Sequence, residues 1–280
     1  MNMDDMIEGF AKASETAIPV NDGDYIDEEG LLCCGKCHTR KQTRIEFNGK
    51  ILTPRCVCKC EQERLKAEEE ERKNREKMIK IREYRKMGFP DAEMSRWTFE
   101  KDDRQNGKVS NIAERYVENF DEMRKKNKGL LFFGEVGTGK TFLSACIANA
   151  LIDKGYPCLV TNFARLTNTI SGMYDGKQEY IDGLDRFTLL VIDDLASERD
   201  TEYMNEIVMN IIDARYRSGK PLIVTTNLTS EELKNPQDVR KQRIYSRLLE
   251  MCIPIEVKGK DRRKEKLKED YLELNKLLGL

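Results

Sequence analysis

The chain has 280 residues, 39% of them hydrophobic and 35% charged, with 49 basic and 50 acidic side chains and a formal net charge of -1. That length holds one good core plus a smaller module, and the charged share puts a good part of the chain in solvated helix or linker. The balance lacks the basic excess of a protein that coats duplex DNA, although a local groove is enough for single strands.

The opening stretch, Met1 to Phe10, is acidic and has no long apolar core, so it does not read as a secretory leader. No apolar run approaches membrane-span length; LLFF and LIVTT are strand-sized. The expectation is a cytoplasmic protein without a membrane partner, whose thiols stay reduced. Of nine cysteines, six lie between Cys33 and Cys60, which points to metal rather than to disulfides.

Residues 1–60 read as a small knuckle of hairpins. Cys34-Gly-Lys-Cys37 has C-x-x-C spacing, and Cys56-Val-Cys-Lys-Cys60 supplies three more thiols. Two such clusters suit tetrahedral zinc with thiolate ligands, and the metal supplies folding energy that a module of this size cannot gain from burial. The favoured ligands are Cys34, Cys37, Cys58 and Cys60. Cys56 can replace either of the last two; Cys33 and His38 are weaker donors. Residues 61–96 form a charged connector, with a helix from Glu61 to Gly88 that contains no proline or interior glycine and has Pro90 beyond it. Its sparse apolar positions, among them Leu65, Met78, Ile81 and Tyr84, suit a solvated connector; a short coiled-coil contact is the other reading.

Residues 97–265 carry the main core. Strand-like runs (Gly129–Gly134, Tyr156–Thr161, Phe187–Asp193, Pro221–Thr226, Cys252–Val257) alternate with helical ones (Lys140 to about Lys154, Thr201–Arg217, Asp238–Glu250). Continuous apolar strands between helices predict an α/β fold with a parallel sheet buried on both faces. Residues 266–280 read as a charged helical tail.

Gly134-Glu135-Val136-Gly137-Thr138-Gly139-Lys140-Thr141 matches G-x-x-x-x-G-K-[ST] between a strand and a helix. The glycines let backbone N–H groups face phosphate, Lys140 reaches the β- and γ-phosphates, and Thr141 offers its hydroxyl to magnesium. Asp193 and Asp194 end the next buried strand. Asp193 is placed to hold magnesium through water, Asp194 to orient and deprotonate the attacking water. Asn227 follows Thr225-Thr226. Alone, such an asparagine is a turn residue; beside these carboxylates it becomes a sensor of the γ-phosphate. Arg243 and Arg247 lie four apart on one predicted helix face, which is either a solvated charged face or a source of charge for another subunit's phosphate. Gly259-Lys-Asp-Arg-Arg263 either brings an arginine onto the nucleotide or is a basic surface turn.

Together these motifs resemble the DnaC-type helicase loaders, a branch of the AAA+ ATPases. The likeness spans roughly Trp97 to Arg263 and is densest in Ile192-Asp-Asp-Leu195 and in Asn210 to Thr229, where IstB-type transposition helpers are similar too. The resemblance implies an AAA+ core, with Arg247, beside Arg243, as an arginine finger acting in the next subunit. It implies Arg263 as the second sensor and Trp97-Thr-Phe99 as the strip near adenine. In initiator-like proteins the place of Asn162–Asn168 holds a helix facing DNA, with Arg165 a candidate here; a packing helix is the equal alternative. A cysteine module joined to this core is similar to loaders of Gram-positive bacteria and their phages, in which the N-terminal part contacts the ring helicase. The implied activity is an ATP switch that self-associates, holds a replicative ring helicase and delivers it to single-stranded DNA. The alternatives are a transposition helper that forms filaments on duplex DNA, and a small-molecule P-loop kinase, against which Asp193-Asp194 and the Asn227 strand argue.

Overall fold

The computed structural model describes residues 20–47, 49–196 and 201–278. The stretch Met1 to Phe10, read above as no leader, lies outside the described residues. The chain divides into two compact units between Met78 and Ile79. Among the described residues no helix is long and apolar enough to cross a membrane.

The first unit is made of turns and two antiparallel hairpins. β1 (Tyr25–Ile26) pairs with β2 (Leu32–Cys33), and β3 (Ile45–Phe47) with β4 (Lys50–Leu52). Among the described residues its buried apolar groups are Leu31, Cys33, Cys34 and Cys58. So small a core needs other fastenings. Asp24 is one: its carboxylate pairs with the Lys41 ammonium and accepts the backbone N–H of Asn21 at 2.8 Å and of Gly35 at 3.0 Å. These bonds, that of Lys41 first, hold the Asp24 carboxyl down at about 2.

α1 (Lys59–Gly88) opens two residues before the predicted start, so Cys60 lies in its first turn. The Cys58 carbonyl already accepts the Gln62 N–H at 2.9 Å, which sets the helix going there. The middle of α1 is exposed all round and carries the i,i+4 ion pairs Arg64–Glu68, Glu69–Lys73 and Arg72–Glu76. This is the pattern of a solvated connector. In the second unit, Ile81 and Tyr84 pack against the core. Gly88 closes the helix where a Cβ would come within 2.5 Å of the Cys158 carbonyl oxygen, so no larger residue fits.

The second unit holds a five-stranded sheet in the order β6-β7-β8-β5-β9, all pairs parallel. The strands are β5 (Gly129–Phe133), β6 (Cys158–Asn162), β7 (Leu189–Leu195), β8 (Leu222–Thr226) and β9 (Cys252–Glu256). Alternate residues feed two cores. Leu131, Leu190, Ile192 and Val224 face one; Leu130, Phe132, Val191 and Ile223 face the other. This double burial is why β5, β7 and β8 read as continuous apolar runs; β9, at the edge of the sheet, departs from the expected burial and leaves Ile253 and Pro254 exposed. β6 starts two residues after its predicted beginning, because Gly155 (φ 95°) and Pro157 still belong to the turn.

The second core is covered by α2 (Gly107–Glu118), α3 (Phe120–Lys125) and α4 (Lys140–Asp153). The first is covered by α5 (Phe163–Ser171), α6 (Lys177–Gly183), α7 (Glu202–Ser218) and α9 (Val239–Met251). α8 (Ser230–Lys234) opens with a Thr229–Glu232 capping box. α10 (Arg262–Leu278) runs across the position where the sequence suggested a division at 265/266.

Arg215, on α7, is 1% exposed although charged. Its guanidinium donates to the carbonyls of Phe187 (3.0 Å), Thr188 (2.8 Å) and Pro221 (3.2 and 2.8 Å). It thereby ties the entry of β7 to that of β8.

Candidate nucleotide and metal sites

The phosphate loop leaves β5 and enters α4. Gly134, Gly137 and Gly139 have φ of 135°, 79° and 97°, which fold the backbone inward. Thr138 steadies the turn by donating to the Glu135 carbonyl at 2.9 Å. A cleft of about 450 Å³ lies above it, lined by Val136 to Thr141 together with Trp97, Asp194, Asn227, Arg262 and Arg263. Gly134 and Glu135 face an adjoining hollow of about 380 Å³, which Asn227 also borders.

The Lys140 ammonium donates to the carbonyls of Gly134 (2.8 Å) and Glu135 (2.7 Å) and to Asn227 Oδ1 (2.8 Å). Burial pulls its pKa below the ordinary lysine value, while the Asp194 and Asp193 carboxylates act against that pull. Thr141 donates to both oxygens of Asp193 at 2.9 and 3.0 Å, and the Thr225 hydroxyl donates to Asp193 as well. Burial pushes the Asp193 carboxyl up, and these hydroxyls oppose it. β7 runs on past the predicted end, with its register to β8 broken between Ile192 and Leu195. There Asp194 takes the left-handed conformation (φ 56°) and its N–H donates to Thr225 Oγ1 at 3.0 Å. The bulge turns Asp194 to the cleft while Asp193 stays inside.

Trp97 lines the cleft with its ring 5.7 Å from that of Phe142, and its carbonyl accepts from Asn149 Nδ2 at 2.9 Å. Phe99 packs into the core instead. Arg263 borders the cleft, near enough for its charge to weigh on Lys140. Its neighbour Arg262 is a residue sequence reasoning passed over. Its N–H donates to the Gly137 carbonyl at 3.0 Å and its guanidinium pairs with Asp103 at 3.0 Å, so it clasps the phosphate loop to the segment before α2. The adjacent RR pair was the only signal for it.

Arg247 does not line the cleft of its own chain. Its guanidinium is ion-paired with Asp213 on α7 and lies 3.5 Å from Met209 Sδ. Arg243 is exposed. Four residues advance about 40° beyond a full turn, and Asp213 draws only Arg247 onto α7. Arg165 follows the Asn162 cap of α5 and lines a separate hollow of about 510 Å³ with Lys86 and Arg186.

In the first unit the Cys34, Cys37, Cys58 and Cys60 sulfurs all lie within 4.8 Å of one another. Tetrahedral thiolates at about 2.3 Å from zinc stand roughly 3.8 Å apart, and Cys34–Cys60 and Cys58–Cys60 are 3.5 and 3.4 Å apart. The Thr39 hydroxyl, 3.1 Å from Cys37 Sγ, leads the bonds that lower the Cys37 thiol to about 5 and favour the thiolate. Cys56 donates to the Arg40 carbonyl at 3.2 Å, Cys33 to Asp27 at 3.7 Å, and the His38 ring is 5.8 Å from Tyr25. None of the three belongs to the cluster. We expect about one zinc per chain, measurable by elemental analysis of protein purified without chelator. Stripping it should unfold the first unit and leave the second folded, to be read as a loss of amide protection confined to the first unit.

Residues 60–270 match the family described as IstB-like ATP binding protein. The replicative helicase loader DnaI of Bacillus subtilis (strain 168) is 26% identical over 150 residues, covering 49% of this chain and 48% of that protein. The replicative helicase loader DnaC of Escherichia coli (strain K12) is 30% identical over 125 residues, covering 43% and 50%. The chain thus spans about half the length of the curated relatives it matches. Among solved structures, a crystal structure of DnaI superposes with a TM-score of 0.52 and 28% identity, over 63% of this chain and 95% of that one.

Proposed function

Since the chain belongs to the family of IstB-like ATP-binding proteins, we propose that it is an ATP-hydrolysing loader that holds a replicative ring helicase and passes it onto single-stranded DNA. One observation carries the nucleotide part. Thr141 and Thr225 converge on Asp193 while Lys140 reaches Asn227, so the phosphate loop, the acidic strand and the polar strand share one hydrogen-bonded network. The names of the relatives and the cysteine cluster ahead of this core favour the loader over the transposition helper.

In this reading the loop's N–H groups and the α4 N-terminus hold the β- and γ-phosphates. Lys140 leaves its carbonyl partners for them, and Trp97 packs by the base. Thr141, and Asp193 through water, would hold magnesium, which would neutralise developing phosphate charge. Asp194 orients and deprotonates the water that attacks the γ-phosphorus, and Asn227 senses whether the γ-phosphate is there. Arg263 supplies charge in cis. Arg247 supplies it to the neighbouring copy, so hydrolysis follows self-association.

The test is delivery of a ring helicase to circular single-stranded DNA by the full chain with ATP. Lys140→Ala is expected to lower ATP affinity by roughly a hundredfold or more, since a charge-assisted contact to phosphate is lost, and to abolish delivery. Undiminished ATP binding by that variant refutes the phosphate-loop assignment. Filaments on duplex DNA, with no helicase retained, would favour the transposition helper.

A further inference from the structure

α7 carries Met209 and Asp213 four positions apart, on one face of the helix. Arg247 comes to this face from α9. Its Nη1 is ion-paired with Asp213 Oδ1 and lies 3.5 Å from Met209 Sδ. Asp213 Oδ1 is closed off from solvent, and among the described residues the Arg247 guanidinium is its partner. The other edge of the guanidinium, Nε and Nη2, has no partner among the described residues, and the Arg247 side chain is 34% exposed. One end of the arginine is held and the other is open.

A carboxylate in this place either stores the arginine or braces it. To leave a store, Arg247 would have to strip a buried carboxylate oxygen of its partner. Breaking a sheltered pair costs far more than breaking one in water. A brace breaks nothing, because the arginine acts from where it already lies. The open edge is also the right one: Nε–H and Nη2–H form the side-on fork that matches two oxygens of a phosphoryl group. Given Arg247 as the group that acts on the neighbouring copy, the reading on which this rests, we propose that Asp213 is its positioning residue. It holds Nη1 and leaves the Nε–Nη2 edge for the γ-phosphate bound next door. An arginine fixed in advance loses little side-chain freedom when phosphate charge develops, so its stabilisation goes to the transition state.

ATP turnover of the zinc-loaded full chain tests this, at protein concentrations raised until the rate per chain levels off. Asp213→Ala is expected to lower kcat by roughly tenfold to a hundredfold, the loss that follows when a group is kept but misplaced. That is less than the loss expected for Arg247→Ala. KM for ATP should stay near the parent's, since Asp213 does not line the cleft. Asp213→Asn keeps the shape and a neutral acceptor; it should lose less, and it stands in if melting shows the alanine chain unfolded. In an Arg247→Ala chain, Asp213→Ala should cost nothing more, which a residue that merely fastens α7 to α9 would not obey. Mixing Asp213→Ala with Asp194→Asn should restore part of the turnover, because the second chain brings a braced Arg247 to the first chain's intact cleft. Parent-like turnover in both Asp213 variants, with Arg247→Ala still slow, overturns the brace and leaves the trans-acting arginine standing. Faster turnover overturns it as well, since Asp213 is then a store. So does a double variant slower than Arg247→Ala alone, and so does a mixture no faster than its parts. If Arg247→Ala itself turns over like the parent, the arginine's role fails first and that of Asp213 falls with it.

Discussion

Arg247→Ala is expected to bind ATP like the parent and to hydrolyse it on the order of 10³-fold more slowly, the loss seen when a phosphate-facing arginine is removed from related hydrolases. The guanidinium is ion-paired with Asp213 on α7 and lies outside the cleft of its own chain. α9 has no glycine to bend it back. Its effect on turnover should therefore act across a contact between copies and appear as a dependence on protein concentration. Asp194→Asn is expected to be slow as well, because it removes the base that orients the water. Mixing the two variants should restore part of the activity, since some contacts then join an intact Asp194 cleft to an intact Arg247. Turnover of each variant and of the mixture, at several total concentrations, decides the matter. Equal rates for Arg247→Ala and the parent, or a mixture no faster than its parts, would falsify the trans-acting role.

The second large effect falls on stability rather than on chemistry. Arg215→Ala is expected to destabilise the second unit by roughly 4 kcal/mol or more, because buried acceptors left unpaired cost about 1–3 kcal/mol each and a cavity adds to that. The carbonyls of Phe187 and Thr188 lose their Arg215 donor together, and that of Pro221 is left with the long bond from the Leu190 N–H at 3.5 Å. For a unit of this size the melting temperature should fall by about 10 °C. Arg215→Lys should rescue little, as one ammonium cannot reproduce the planar fork that bridges two strands. Calorimetry of the full chain is the measurement; a fall of under about 1 kcal/mol, the level of an ordinary surface substitution, contradicts the account.

The sheet was legible because β5, β7 and β8 are buried on both faces: runs such as Leu189 to Ile192 leave no other place for so much apolar surface, whereas β9, at the edge, leaves Ile253 exposed. The phosphate loop was legible because its chemistry needs fixed spacing. Contacts distant in sequence were not. The helices at Gly107–Glu118 and Phe120–Lys125 were not anticipated, although Val109, Ala113, Tyr116 and Val117 keep helical period and are buried. No spacing rule could choose between Cys56, Cys58 and Cys60, since that choice rests on the Arg40 carbonyl turning Cys56 away. The pull of Asp213 on Arg247 spans 34 positions, and no local pattern announces it.

The hydroxyls around Asp193 also have a polarity. Thr225 receives the hydrogen of the Asp194 N–H and sends its own to Asp193. Thr141 sends its hydrogen to Asp193 too. All these hydrogens run inward to one carboxyl group, which has two incoming hydrogens and so gains nothing from keeping a third of its own. These donated hydrogens favour the carboxylate and oppose the burial that pushes its pKa up. Because the single hydrogen of Thr141 is spent inward, what its oxygen turns outward is electron pairs alone, and those are what a hard divalent cation takes.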